Sequence, residues 1–428
     1  VKSRLLNFLF WLVIAAAFIG PGTVTTAASA GANFGYQLIW ALVFSTFACA
    51  ILQEAAARVV IGSGKTLSQA IKEQYSSKTL ILTIVVSVFL GCVAYEAGNI
   101  LGAISGLALI VTSIPVWVFT VVIVLISALI LFLDRISSVA NFLGLLVAVM
   151  GFSFIAVAIQ SKPVLSDIFI GAFMPSLNTD SVLLTLGLVG TTIVPYNIFL
   201  GAGLAKGQSI KQMRAGLIPS VILGGIISIA VVIVGSGLES EFSFEALYTY
   251  LSLNQGSNMA RFFAVGLFAA GFTSTITAAL AGAFALRSGF YTEEAQHTRD
   301  WSLMKWWLLV LFVGLVFGVS GVKPIPVIIL AQAANGFILP LIAFALWQIL
   351  NNSNLVNHHI NSYFQNVSMA ITVGVTSMLG LINVSKALYT VFGLAFALDG
   401  AVVYSITGLT LLILFYAIWN IRKLRINN

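Results

Sequence analysis

Gly20-Pro21-Gly22-Thr23 interrupts the first long apolar stretch of the chain, which runs from about residue 5 to 31. Proline has no N–H to give a helix, and glycine is conformationally loose, so an unbroken helix is not expected here. A break at bilayer depth leaves backbone groups unpaired. Lipid tolerates that only where protein or a water-filled cavity surrounds them. The stretch therefore predicts a broken membrane helix lining a cavity, and a mid-membrane cavity predicts transport.

The composition on either side of the break demands a membrane. The 428 residues are 60% hydrophobic and 8% charged, where soluble domains carry roughly 25% charged residues. Mean hydropathy is +1.06. Apolar segments of about 20 residues, the length that spans a bilayer, recur throughout. They fall at 5–31, 37–61, 80–111, 115–133, 138–160, 182–205, 215–237, 259–286, 304–321, 325–350, 366–386 and 397–420. The first is expected to be a span and not a signal peptide, being too long and lacking a small-residue cleavage site. No soluble domain is expected. The polar stretch 62–78 predicts a short surface helix. Its Gly64-Lys65-Thr66 lacks the first glycine of a phosphate loop.

With twelve spans and a cytoplasmic N-terminus, the basic residues concentrate on the cytoplasmic side, as membrane insertion favours. Of 20 Lys and Arg, only Lys162, Arg261, Lys323 and Lys386 fall outside. The acidic 239–245 loop, with Glu239, Glu241 and Glu245, also falls outside. The net charge of +7 thus reports topology, and no nucleic-acid motif accompanies it. Cys49 and Cys92 both lie within spans, which predicts neither a structural disulfide nor a metal site.

A second break interrupts the sixth apolar segment. It reads Thr191-Thr192-Ile193-Val194-Pro195-Tyr196-Asn197, flanked by Gly187, Gly190, Gly201 and Gly203. Five spans separate the two breaks, and an odd number per unit gives two halves of opposite orientation. Broken helices at matching places in inverted halves point to a secondary transporter's substrate site. The expected layout is one transmembrane domain over 1–428, with a first repeat at 1–160, a second at 182–350 and accessory helices at 366–420.

Further motifs flank these breaks. The first runs on through Val24-Thr25-Thr26 to Ala30-Gly31-Ala32-Asn33-Phe34-Gly35-Tyr36, then Leu38, Trp40, Leu52-Gln53 and Ala56-Ala57-Arg58. Leu101-Gly102-Ala103, Pro195 and Asn197, Ala269-Ala270-Gly271, Ser274-Thr275, Ala281-Gly282 and Gln332 follow. On these residues the chain resembles the Nramp family of divalent-metal transporters. The resemblance implies an all-α polytopic membrane protein with the LeuT fold. That fold is an inverted repeat of 5+5 transmembrane helices, broken at helices 1 and 6, here with two accessory helices. It implies secondary transport by alternating access, no enzymatic activity, no cofactor, and a place in the bacterial inner (plasma) membrane with both termini cytoplasmic.

The departures from the family pattern fall on the metal site. The family's metal-binding Asp is matched by Gly20, its Asn ligand by Thr23 and its Met ligand by Val194. The alanine whose carbonyl contributes is matched by Thr191, and the histidine of proton handling by Tyr196. The Asp and Glu of the proton route fall at Glu96 and Asn99, and only Gln332 is unchanged among the ligands. His297, His358 and His359 lie in expected cytoplasmic loops. A transition metal at mid-membrane without carboxylate, imidazole or thioether is hard to justify.

The expected substrate-binding residues are therefore Gly20, Thr23, Thr26, Thr191, Val194, Tyr196, Asn197 and Gln332. Hydroxyls and amides both donate and accept hydrogen bonds. They suit a hydrated cation such as Mg²⁺, which keeps several of its waters, or a small polar organic solute. A receptor that has lost transport is a further alternative. The expected coupling residues are Glu96, Asn99, Thr273 and Ser274. Glu96 is the acid deepest in an apolar segment, and it is a candidate proton carrier or a structural hydrogen-bonding group. Thr273-Ser274-Thr275 would form a sodium site with span 1 carbonyls, or bond back to their own helix. Glu54 and Arg58, four apart, predict an intrahelical ion pair.

Overall fold

The computed structural model describes residues 2–133, 135–176, 180–290, 300–323, 325, 338–391, 396 and 399–426. Every regular element among them is helical. The first apolar segment forms α1 (Lys2–Phe18) and α2 (Pro21–Phe34), bent by 65° at Ile19–Gly20. Pro21 opens α2 at the position where its missing N–H costs nothing. Then come α3 (Ile39–Ser63), α4 (Leu67–Tyr75), α5 (Lys78–Ala108), α6 (Val116–Leu133), α7 (Ile136–Gln160) and α8 (Leu165–Phe173). The second break divides α9 (Val182–Thr192) from α10 (Pro195–Leu204). The remaining elements are α11 (Ile210–Gly235), α12 (Phe244–Asn254), α13 (Ser257–Phe290), α14 (Trp301–Val319), α15 (Leu339–Ile349), α16 (Ser353–Val356), α17 (Tyr363–Val391) and α18 (Gly400–Ile426).

Among the described residues, nine helical stretches are long and apolar enough to cross a membrane, and the bent α1–α2 pair makes a tenth. Two shorter apolar helices, Val116–Phe132 and Leu339–Ile349, fall where the other two expected spans lie. The breaks differ in shape. α1 and α2 turn sharply, whereas α9 and α10 continue as one 23-residue span with a short interruption. Both expected breaks are present. The expected surface helix is α4, closed by a capping box in which Thr66 accepts from the Gln69 N–H. Thr66 thus caps a helix, the opposite of a phosphate-loop role. Helices α8 and α12 lie between the expected spans, at 160–182 and 237–259.

Small residues set how closely the helices approach. α13 is the central element, with 89% of its most apolar window buried against 17% for α18. It packs most extensively on α5. Any side chain at Gly106 or Gly271 would strike the facing backbone of that contact. α1 lies between α7 and α11, with its Trp11 and Phe18 rings over Gly216 and Gly224 of α11. Gly102 of α5 makes room for the Pro21 ring, which sets the start of α2 against the middle of α5. Close approach through small residues is how membrane helices associate, because lipid offers no hydrophobic drive between them.

Candidate substrate site

A helix leaves its last four carbonyls without intrahelical partners. At the end of α1 these belong to Ala15, Ala16, Ala17 and Phe18, and each is met. Ala15 accepts from the Ile19 N–H at 2.9 Å. Ala16 accepts from Ser274 Oγ of α13 at 3.0 Å. Ala17 accepts from Tyr196 Oη of α10 at 2.9 Å. Phe18 accepts from the Thr23 hydroxyl across the break. One turn earlier, Asn197 Nδ2 donates to the Ile14 carbonyl at 3.1 Å. The two breaks are thus joined to each other and to α13 by side-chain donors on backbone acceptors.

Gly20 sits at the centre of this junction. Its backbone is extended (φ −105°, ψ −177°), so no left-handed strain explains a glycine. Space does. A Cβ at position 20 would lie 2.9 Å from Ser274 Oγ and 3.2 Å from Asn99 Oδ1. A carboxylate there would displace the hydroxyl that holds Ala16.

Asn99 and Glu96 project from α5, one turn apart, and both are buried. Neither Glu96 carboxylate oxygen has a hydrogen-bond partner among the described residues, although Asn99 lies within electrostatic reach. Glu96 packs on Gly314 of α14, and the neighbouring Tyr95 meets Tyr196 edge to face at 5.5 Å. Four further buried polar atoms in the elements that meet here have no hydrogen-bond partner among the described residues: Thr25 Oγ1, Asn99 Nδ2, Asn197 Oδ1 and Thr275 Oγ1. Buried polar groups are nearly always satisfied, so such a set marks a place that water, an ion or a solute fills.

The expected site residues divide into those brought together and those not. Thr23, Tyr196, Asn197 and Ser274 converge on backbone carbonyls of the last turns of α1, and Ser274 and Asn99 border Gly20. Thr26 and Val194 are buried in the broken elements. Thr191 donates to Leu188 of its own helix at 3.2 Å, and Thr273 to Ala270 at 3.2 Å. Of the sodium-site residues, Ser274 crosses to a span 1 carbonyl whereas Thr273 turns back. Gln332 lies outside the described residues. No group of three His, Cys, Asp or Glu is placed to hold a metal among the described residues. Sequence reading does not single out Gln53 as a site residue; it is buried opposite Gly201, and neither amide atom has a hydrogen-bond partner among the described residues. In the sequence it reads only as part of the Leu52-Gln53 motif, and a lone Gln in an apolar helix is the available signal.

On the side of the termini, a cleft of about 80 Å³ lies between α3, α4, α7, α10 and α13. Thr66, Phe199, Lys206, Arg287 and Ser288 are among its walls. Arg287 is also 3.5 Å from Asp300 and donates to Ser302. Hydrogen bonds from Ser302 hold the Asp300 carboxyl below its ordinary range, and Arg287 adds to this.

Residues 11–386 match the sequence profile of the family described as natural resistance-associated macrophage protein-like. A Dictyostelium discoideum natural resistance-associated macrophage protein 2 homolog is 28% identical over 292 residues, 63% of this chain and 46% of that protein. The chain therefore spans about half the length of that relative. The Bacillus subtilis divalent metal cation transporter MntH is 26% identical over 382 residues, 84% of this chain and 87% of that one. In three dimensions, the Eremococcus coleocola manganese transporter superposes with a TM-score of 0.79 at 21% identity. The match covers 99% of this chain and 96% of that one. The shared scaffold is the LeuT fold.

Proposed function

We propose a function from one premise: the chain belongs to the natural resistance-associated macrophage protein (Nramp) family of membrane transporters. It is a secondary transporter that works by alternating access and carries a hydrated divalent cation, of which Mg²⁺ is the model. It does not carry Mn²⁺ or Fe²⁺ by direct coordination. The supporting observation is the state of the α1 carbonyls. The groups that a bare cation would take are already held by Ser274, Tyr196 and Thr23, and a side chain at Gly20 would press on Ser274 Oγ. What remains unsatisfied is neutral hydroxyl and amide, with Glu96 as the single buried carboxylate among the described residues. Such groups bind an ion through its water, which Mg²⁺ sheds reluctantly. Soft transition ions instead favour thioether and imidazole ligands.

In this reading Gly20, Thr23, Thr26, Thr191, Val194, Tyr196, Asn197 and Gln332 line the substrate's path, and Glu96 with Asn99 carries a coupling proton. Thr273 and Ser274 are the alternative coupling site, for sodium. The repeats run over 1–160 and 182–350, with residues 366–420 as accessory helices. The basic loops support a cytoplasmic position for both termini, in a bacterial inner membrane in this reading. Calorimetry of the purified protein against Mg²⁺ and Mn²⁺ tests the reading. Mg²⁺ should give a saturable heat that Thr23→Leu removes. Tight Mn²⁺ binding that survives Thr23→Leu would refute it.

One observation favours a second reading, a small anionic organic solute. The cleft beside Phe199 carries Lys206 and Arg287, which suit a leaving anion better than a leaving cation. A screen of small organic acids by thermal shift separates the two.

A further inference from the structure

A second, larger cleft lies on the outer face of the bundle. It occupies about 590 Å³ between α3, α11 and the start of α17. Val43, Phe47, Ile51, Ile218, Ile222 and Met369 line it with hydrocarbon. Phe47 is 50% exposed and Ile222 49% exposed, so the cleft opens toward the bilayer and not toward the substrate site. Its lining on α3 runs from Val43 to Arg58. Fifteen residues of helix rise about 22 Å, more than the depth of one leaflet of a hydrocarbon core about 30 Å thick.

The cleft is charged at one end only, the end of the basic loops, and Thr46 near the other end is its one neutral polar group there. There Glu54 accepts from Arg58 Nε at 3.2 Å, and from Arg214 Nε at 2.9 Å and Nη2 at 2.6 Å. The two guanidiniums are not equivalent. Arg58 is 4% exposed and fully used, with its other nitrogens on the His359 carbonyl at 3.0 Å and Asn361 Oδ1 at 2.7 Å. Arg214 is 42% exposed. Both its bonds go to Glu54, and Nη1 has no hydrogen-bond partner among the described residues. Two cations against one carboxylate leave the cluster positive. Gln365 of α17 stands beside it.

We propose that this cleft holds one anionic phospholipid of the leaflet on the side of the termini. An acyl chain lies along Phe47, Ile51 and Ile222, and the phosphate sits at Arg214 Nη1 within reach of Gln365. The placement of charge at one end of a largely apolar cleft matches a phospholipid, its length matches an acyl chain, and its net positive charge selects an anionic headgroup. A lipid seated there bridges α3 and α11 to α17, and so couples the core to an accessory helix.

The test is lipid retention by the full chain. The protein is reconstituted in mixed phosphatidylglycerol and phosphatidylcholine vesicles, extracted in mild detergent, and its retained lipid measured by mass spectrometry. Retained lipid should be enriched roughly fivefold in phosphatidylglycerol, the increment one basic residue gives at a bilayer surface. Arg214→Gln should remove the enrichment while leaving total lipid unchanged. Ile222→Trp, at an exposed position, should fill the cleft and lower retention of both lipids. Equal retention of the two lipids by the unaltered protein would overturn the proposal, as would enrichment that survives Arg214→Gln. Enrichment with Ile222→Trp retaining full lipid would place the lipid elsewhere and overturn it too.

Discussion

Adding one methyl group at position 20 would bring it to 2.9 Å from Ser274 Oγ and 3.2 Å from Asn99 Oδ1. Gly20→Ala should therefore cost about 1–3 kcal/mol by overpacking. Ser274→Ala alone should cost about 1 kcal/mol, because it leaves the Ala16 carbonyl unmet. Together they should cost less than their sum by at least about 0.5 kcal/mol, since the second change makes room for the first. Thermal unfolding in lipid nanodiscs measures the cycle, and strict additivity would mean that the two residues do not compete for one space. Glu96 makes a different point. Its carboxylate is buried without a hydrogen-bond partner among the described residues, so Glu96→Gln removes a burden and keeps the shape. The variant should unfold no earlier than the parent, and its uptake should lose pH dependence. Uptake that keeps its full pH profile in Glu96→Gln would remove this residue from coupling.

At the scale of elements, the end of α1 is held by side chains remote in sequence. Tyr196 is 179 residues from Ala17, and Ser274 is 258 from Ala16. Tyr196→Phe should cost about 1 kcal/mol and weaken closure of the break. Faster exchange of the amides near Gly20 in the variant would show it, and unchanged exchange would deny it. The α14 cap gives a pH test outside the membrane. Asp300 accepts from the Ser302 N–H and hydroxyl, and its carboxyl is held below the ordinary range by Ser302 first and Arg287 less. A depressed carboxyl contributes stability above its unfolded value, near 3.9. That contribution fades as pH falls through the lower folded value. Asp300→Asn should flatten the acid side of the stability profile, and an unaltered acid limb would contradict this.

These elements also mark what sequence can carry. Pro21 and Pro195 announce both breaks, because a missing N–H is a local fact that needs no tertiary knowledge. Thr66 with Gln69 announces α4 in the same way. The i,i+4 pair of Glu54 and Arg58 is local too, and is present at 3.1 Å. Arg214, 160 residues from Glu54, completes that cluster, and nothing near it in sequence says so. Substitution at Gly20 was legible, but its packing reason was not. Ser274 and Asn99 reach it from two other helices.

At the scale of the whole molecule, the LeuT scaffold is retained while its first break is closed by protein donors. Thr23, Thr25, Thr26, Thr191 and Asn197 are all buried, so transport requires the α1–α2 junction to open. In the proposed cycle the solvated cargo would then meet the hydroxyls and amides of Thr25, Asn99, Asn197 and Thr275, while Ser274, Tyr196 and Thr23 keep the α1 carbonyls. The central claim is that this family member handles its ion with the water shell kept. Uptake into proteoliposomes of the unaltered protein, with Mg²⁺ and Mn²⁺ measured side by side, tests it most directly. The account predicts saturable Mg²⁺ uptake, no saturable Mn²⁺ uptake, and loss of the Mg²⁺ signal in Thr23→Leu. Robust, high-affinity Mn²⁺ uptake would contradict it.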